Sequence, residues 1–267
     1  MKGECFFLPP MDKISAIIIT RNEERNIGRC LASLRGVADE VVVVDSGSTD
    51  ATGRLATEAG ATFLFREWTD YSDQKNYANG LAAHPWILSI DADEALSDEL
   101  RETLLELKRG GLDAGCVYAV KRLNNYCGRW IRHSGWYPDE KVRLWRAGAA
   151  HWDGLVHEEL VFHAPLATVH LKGDLLHYTY TSVADHASRQ LRYATLAAEK
   201  SHAAGRTAGA AALWLHPAWT FFRNYVLKGG FRDGKAGLVV CRMAAYYTFL
   251  KYAILRNLSH ASLEERG

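Results

Sequence analysis

Val41-Val42-Val43-Val44-Asp45-Ser46-Gly47-Ser48-Thr49-Asp50 decides how this chain folds. Four β-branched residues in a row suit a strand covered on both faces, because no side is left polar for water. The run stops at Asp45, where a carboxylate, a glycine and three hydroxyl residues make a turn and a helix cap. Working outward, residues 14–20 (ISAIIIT) read as another buried strand, and Asn22-Glu23-Glu24 opens a helix to about residue 34. Downstream come a helix over 51–59, a strand over 61–65, a helix over 71–83, a strand over 86–90, a helix over 98–109 and a strand over 116–122. Strands alternating with helices predict right-handed βαβ units and a mostly parallel, doubly wound sheet.

That topology brings distant acids together. Asp45 ends one strand and Asp91 ends another, and ligands of open α/β sheets bind along the carboxyl rim. The second strand runs into three carboxylates, Asp91, Asp93 and Glu94, in the stretch PWILSIDADE (residues 85–94). A hard divalent cation, Mg²⁺ or Mn²⁺, takes oxygen ligands of this kind and completes its shell with water or substrate phosphates. The competing reading is a solvated turn in which Asp91 or Asp93 bonds nearby backbone. Glu94 is expected to lead away into the next helix. Asp45 has the same two readings, an Asx turn or an acceptor for a base or ribose. The loop is not GxGxxG, so a dinucleotide cofactor is not expected.

AIIITRNEERNIGRCLASL, VVVVDSGSTDAT, QKNYANG and ILSIDADE, in that order over residues 14–96, resemble the N-terminal half of glycosyltransferase family 2. KVRLWRAGAAHWDGLVHEEL and HPAWTFFRNYVLKGGFRDGKAGLVV extend the resemblance toward a bacterial subgroup that includes lipopolysaccharide inner-core β-1,4-glucosyltransferases. The resemblance implies an α/β GT-A fold and inverting transfer of a hexose, glucose by subgroup. The implied donor is a UDP-sugar and the acceptor a lipopolysaccharide core or other lipid-linked saccharide. It places Thr20, Asn22, Glu23, Asp45, Gly47, Lys75, Asp91, Ala92 and Asp93 around the nucleotide-sugar. The metal falls to Asp93 and Asp91, with Asp93 preferred and His157 a further candidate.

An inverting enzyme needs a base to deprotonate the acceptor hydroxyl. The family's usual Glu-Asp pair is absent here. Position favours Glu158, with Asp153, Asp139 and Glu159 as competitors. Two other readings share the carboxylates: a metal-dependent nucleotidyltransferase and a non-catalytic glycan-binding scaffold. The former would normally carry a Gly-rich basic phosphate loop, where this chain has the acidic TRNEERN.

Composition sets the surroundings. The 267 residues are 48% hydrophobic and 24% charged, the balance of a folding globular protein. Five scattered cysteines without CxxC spacing argue against a zinc site or disulfide framework and suit a reducing cytosol. The N-terminal apolar run is too short for a signal peptide, and Met11 is a candidate start with the first ten residues an extension.

The expected organisation is a GT-A domain over 12–180, split into a nucleotide-sugar half (12–122) and an acceptor half (123–180), then a helical region over 181–267. Basic and aromatic residues interleave over 121–146, suiting a phosphorylated saccharide acceptor; no nucleic-acid motif accompanies them. Between Arg206 and Arg256 there are eight Lys or Arg and one acid, Asp233, among many aromatics. Such a region suits the surface of an anionic membrane, with a packed core or homo-oligomer contact as the alternative. The expected location is therefore cytoplasmic, peripheral on the inner face of the bacterial cytoplasmic membrane.

Overall fold

The computed structural model describes residues 11–154 and 158–264. Cys5, the N-terminal extension and His157 lie outside the described residues. In chain order the elements are β1 (Ile14–Thr20), α1 (Ile27–Leu34), β2 (Glu40–Asp45), α2 (Thr52–Glu58), β3 (Thr62–Phe65), α3 (Tyr71–Gly80) and β4 (Trp86–Ser89). They continue with β5 (Glu94–Leu96), α4 (Asp98–Gly110), β6 (Cys116–Tyr126), β7 (Arg129–Ile131), β8 (Asp139–Arg146), β9 (Ala150–Asp153), β10 (Glu159–Phe162) and β11 (Ala167–Tyr180). Three helices close the chain: α5 (Val183–Ala203), α6 (Ala212–Phe222) and α7 (Gly234–Glu264). A π-helical turn (Arg223–Leu227) and a 3-10 turn (Gly230–Asp233) join the last two.

Among the described residues the main sheet has nine strands, ordered β3-β2-β1-β4-β8-β6-β11-β5, with β7 beside β6. β1 pairs in parallel with β2 and β4, and β2 with β3. Period-two alternation sorts these strands onto two cores. Ile14, Ala16, Ile18, Val43, Trp86 and Leu88 join Ile27, Leu31 and Leu34 of α1 and Leu100 and Leu104 of α4. Ile17, Val42, Val44 and Ile87 face the other way, with Ala78 of α3, Trp145 and Trp152. Both faces are covered, as the four-valine run requires.

The sheet is parallel only in this half. β8 runs antiparallel to β4, and β5 antiparallel to β11. Beyond α4 the strands follow one another without intervening helices, and short connections favour antiparallel pairing. Glu94 does not lead into a helix but opens β5, its side chain fully buried. The helix expected from Asn22 begins at Ile27, because residues 22–24 spend their polar groups on the β2–α2 loop.

The chain divides into two compact units. One holds residues up to Arg122 together with Glu140–His177, and the other Leu123–Asp139 with residues from Tyr178 onward. In the second, Tyr126, Ile131 and Val240 form a core with Trp136 and Tyr180, and α5 and α6 both pack on α7. Residues 230–260, which take in most of α7, are long and apolar enough to cross a membrane by length and composition.

Candidate active site

β1 and β2 end in register, Thr20 opposite Asp45. Asp45 is buried, and its Oδ2 accepts the N–H groups of Gly47 and Ser48 at 2.9 and 2.7 Å. Its Oδ1 accepts the Ser48 hydroxyl at 2.5 Å. Gly47 sits at φ +90, a left-handed conformation open to glycine at little cost. Asp45 thus makes the Asx turn. Asn22 N–H donates to Ser48 Oγ at 2.7 Å, and Asn22 Oδ1 accepts Thr49 N–H at 2.8 Å. Glu23 N–H donates to Thr52 Oγ1 at 2.8 Å. The loops after β1 and β2 are therefore laced into one rim.

Two buried polar atoms stay open on the same edge. Thr20 Oγ1 and Gln74 Oε1 have no hydrogen-bond partner among the described residues. Gln74 Nε2 donates to Ser46 Oγ at 2.8 Å, so its carboxamide is fixed beside the rim. Buried polar atoms are nearly always paired, so an open acceptor and hydroxyl here suit a polar ligand.

α3 is capped by Asp70, whose carboxylate accepts Asp73 N–H. Residues three and four apart share a helix face, and Ser72, Lys75 and Asn76 turn together toward Trp152, Gly154 and Glu158. Ser72 Oγ donates to the Gly154 carbonyl at 2.6 Å. The Asn76 carboxamide holds both backbone groups of Trp152 at 2.8 Å. Lys75 Nζ lies 4.4 Å from the Trp152 ring centre and 2.9 Å from Glu158 Oε1. Gln74 points the other way. One helix therefore fastens the loop rim on one side and the segment carrying Glu158 on the other.

Lys75 also reaches Asp91 Oδ1, at 3.4 Å. Asp91 Oδ2 accepts from Arg143 at 3.0 Å, and the same guanidinium nitrogen reaches Glu94 Oε1 at 2.6 Å. Arg122 lies 3.6 Å from Glu94. Asp93 Oδ2 faces His177 Nε2 at 3.2 Å, a contact set up because β11 places His177 opposite Glu94. Asp91 and Glu94 are thus neutralised by lysine and arginine, and Asp93 meets an imidazole. Burial alone would raise the Asp91 carboxyl, but Lys75 and Arg143 override it and hold it well below the usual range. Glu94 stays above its ordinary value: burial and Asp91 push it up more than Arg143 pulls it down. Burial opposes the charge on Arg143, yet the two carboxylates raise its pKa further.

The residues around Asp93 offer a divalent cation one carboxylate oxygen and one imidazole nitrogen, both partly exposed. No group of three or more His, Cys, Asp or Glu able to hold a metal occurs among the described residues. A cation here would take its remaining ligands from phosphates and water, the habit of Mg²⁺ and Mn²⁺. Asp91 is already occupied by Lys75 and Arg143. Ala92, between Asp91 and Asp93, is buried.

Of the candidate bases, Glu158 lies in the Lys75–Asp91 network. Asp153 accepts the Gly154 N–H at 2.8 Å, and Glu159 is exposed at the start of β10. Asp139 belongs to the other compact unit. Sequence reasoning did not single out Gln74 or His177, sent Glu94 into the next helix, and counted Arg143 only among the basic residues of 121–146. Gln74 was within reach, since it adjoins Lys75 in QKNYANG. His177 has no local signal, because antiparallel pairing of distant strands delivers it.

A rim of loops at the carboxyl ends of parallel strands, with an acidic turn beside it, is where open α/β folds bind their ligands. The family model described as Glycosyl transferase family 2 matches residues 15–163. Over 91% of its length the chain is 33% identical to the lipopolysaccharide core biosynthesis glycosyltransferase LpsC of Rhizobium meliloti, covering 92% of that protein. It is 30% identical to an uncharacterized glycosyltransferase of Rickettsia typhi, over 93% of this chain and 88% of that one. Among solved structures, glucosyl-3-phosphoglycerate synthase of Mycobacterium tuberculosis, in complex with Mn²⁺, UDP and glucosyl-3-phosphoglycerate, aligns at 24% identity and a TM-score of 0.36. That alignment takes in 43% of this chain and only 44% of the synthase. The chain belongs to glycosyl transferase family 2. Its fold is GT-A and it is a glycosyltransferase, which sets aside the nucleotidyltransferase and scaffold readings.

Proposed function

We propose that this glycosyltransferase moves a hexose, glucose in our reading, from a UDP-sugar onto a lipopolysaccharide core or another lipid-linked saccharide. It works at the inner face of the bacterial cytoplasmic membrane. The observation that carries the proposal is the Lys75 bridge, which ties Glu158 to the Asp91–Asp93 turn. It sets a candidate base next to a candidate diphosphate site. Similarity to a chain named for lipopolysaccharide core biosynthesis supports the acceptor class.

In this reading Thr20 Oγ1, Gln74 Oε1 and the Asp45 turn receive the nucleoside. Asp93 and His177 are the residues that would hold a Mg²⁺ or Mn²⁺ ion, which would neutralise charge on the diphosphate leaving group. The acceptor hydroxyl attacks the anomeric carbon in line while Glu158 takes its proton. The bond from that carbon to the diphosphate oxygen breaks, the nucleoside diphosphate departs with the electron pair, and the anomeric centre inverts. Lys75 keeps Glu158 positioned and supplies a fixed positive charge beside the departing phosphates.

The test is transfer from a panel of UDP-hexoses to deacylated lipopolysaccharide core, with and without EDTA, for wild type and Asp93→Ala. Wild type should transfer, with glucose preferred, and both chelation and Asp93→Ala should cut the rate by about 10² or more. Unchanged transfer by Asp93→Ala would refute the metal site. Transfer confined to another nucleotide-sugar or a non-saccharide acceptor would refute the substrate reading.

A further inference from the structure

α6 is amphipathic the wrong way round for a helix that only serves a core. Its hydrogen-bonding and ring contacts face α7: Thr248 donates its hydroxyl to that of Thr220 at 3.2 Å, and His216 stacks on Tyr252 at 4.5 Å between ring centres. Arg242 of α7 sits 4.7 Å from the Phe221 ring centre. No residue of α6 is fully buried. The opposite face carries Trp214, Leu215, Trp219 and Phe222 into solvent, and the π-helical turn continues it with Val226 and Leu227. Trp214 is 76% exposed and Leu215 68%. Spacing of three and four residues along 215, 219, 222 and 226 makes one continuous stripe. A soluble protein rarely leaves such a stripe uncovered without a use for it.

The charges beside the stripe say what covers it. Arg223 beside it and Lys228, Arg232 and Lys235 just past its end are all exposed. The single acid of the region, Asp233, is turned away: its carboxylate accepts the His133 N–H at 2.9 Å and meets His133 Nδ1 at 2.8 Å. Its side chain is 6% exposed. Residues 206–256 thus place four exposed cations next to the stripe and no exposed carboxylate. Tryptophans on an apolar face, bordered by Arg and Lys, match the interface of an anionic leaflet, where the rings sit at headgroup depth. α7 has the length and apolarity of a span, but α5 and α6 both pack on it.

We infer that the outer face of α6 and the following π-helical turn form an in-plane anchor for an anionic lipid surface, while α7 serves as the support that presents it. The inference rests on the peripheral attachment proposed above and assigns it to one face. The full chain is mixed with phosphatidylcholine vesicles, and with vesicles of equal parts phosphatidylcholine and phosphatidylglycerol, and binding is read by co-sedimentation. Wild type should bind the anionic vesicles, less so in high salt, and the neutral ones weakly. Trp214→Ser/Trp219→Ser, at exposed positions, should keep its melting temperature and lose about tenfold or more of that binding.

Undiminished binding by the double variant would overturn the α6 assignment and leave peripheral attachment standing. No wild-type binding would overturn both. A wild-type dimer in sedimentation velocity that the double variant converts to monomer, without vesicle binding, would make the stripe a self-association surface and overturn the anchor. Transfer to a soluble saccharide by the same preparations reports separately on the transferase reading, and the double variant should retain it.

Discussion

Replacing Arg143 by methionine is the sharpest probe of the charge network. Its guanidinium is 5% exposed and meets Glu94, which is fully buried, at 2.6 Å. It meets Asp91, which keeps Lys75, at 3.0 Å. Removing one partner of a buried pair leaves an uncompensated charge and costs about 3–5 kcal/mol. Melting should fall by roughly 10 °C, since about 2–4 °C follow each kcal/mol in a chain of this size.

Glu94 limits the loss by taking a proton. Its carboxyl, raised by burial, rises further once Arg143 is gone. The folded variant then holds a proton that the unfolded chain has released. Its stability should therefore fall as pH rises from the ordinary glutamate value through the raised one, so that the deficit is smaller at low pH. Arg143→Met/Glu94→Gln, a neutral pair, should recover about half the loss or more. Urea denaturation followed by tryptophan fluorescence measures all three proteins. A single-variant loss under about 1 kcal/mol, or a double variant no more stable than the single, would refute the reasoning.

Two further predictions follow from buried contacts. Lys75→Met should lower kcat by about 10² with a small change in acceptor KM, because a fixed positive charge beside the developing leaving group is lost; steady-state kinetics decide it, and an effect on KM alone would count against it. His186 is buried against the Tyr126 hydroxyl, and burial pushes its pKa down to about 4. The stability this neutral ring provides is complete above the ordinary histidine value and is lost as pH falls through it toward 4, by about 3 kcal/mol in total. His186→Gln should flatten the acid side of the stability–pH curve over that interval, and an unchanged slope would contradict the assignment.

The parallel half of the fold is legible because its signals are local. Runs such as ISAIIIT and VVVV admit one environment, and the acids that stop them mark the rim. The antiparallel half is not, since β5 is three residues long and takes its place from pairing with β11, distant in the chain. The same reason hides His177. Glu94 reads as a helix approach until Arg143 and Arg122 are seen to surround it. Of the two readings of Asp45, the structure shows the Asx turn, in which its carboxylate accepts from Gly47 and Ser48.

α3 bears on how such enzymes could be re-engineered. Trp152, Gly154 and Glu158 look like parts of a separate cassette that could be exchanged. Yet Ser72, Lys75 and Asn76 reach them from a helix far upstream. A graft that moved the cassette alone would strand it without its moorings. The heritable module is split in two, and a chimera must carry one face of α3 along with the segment it grips.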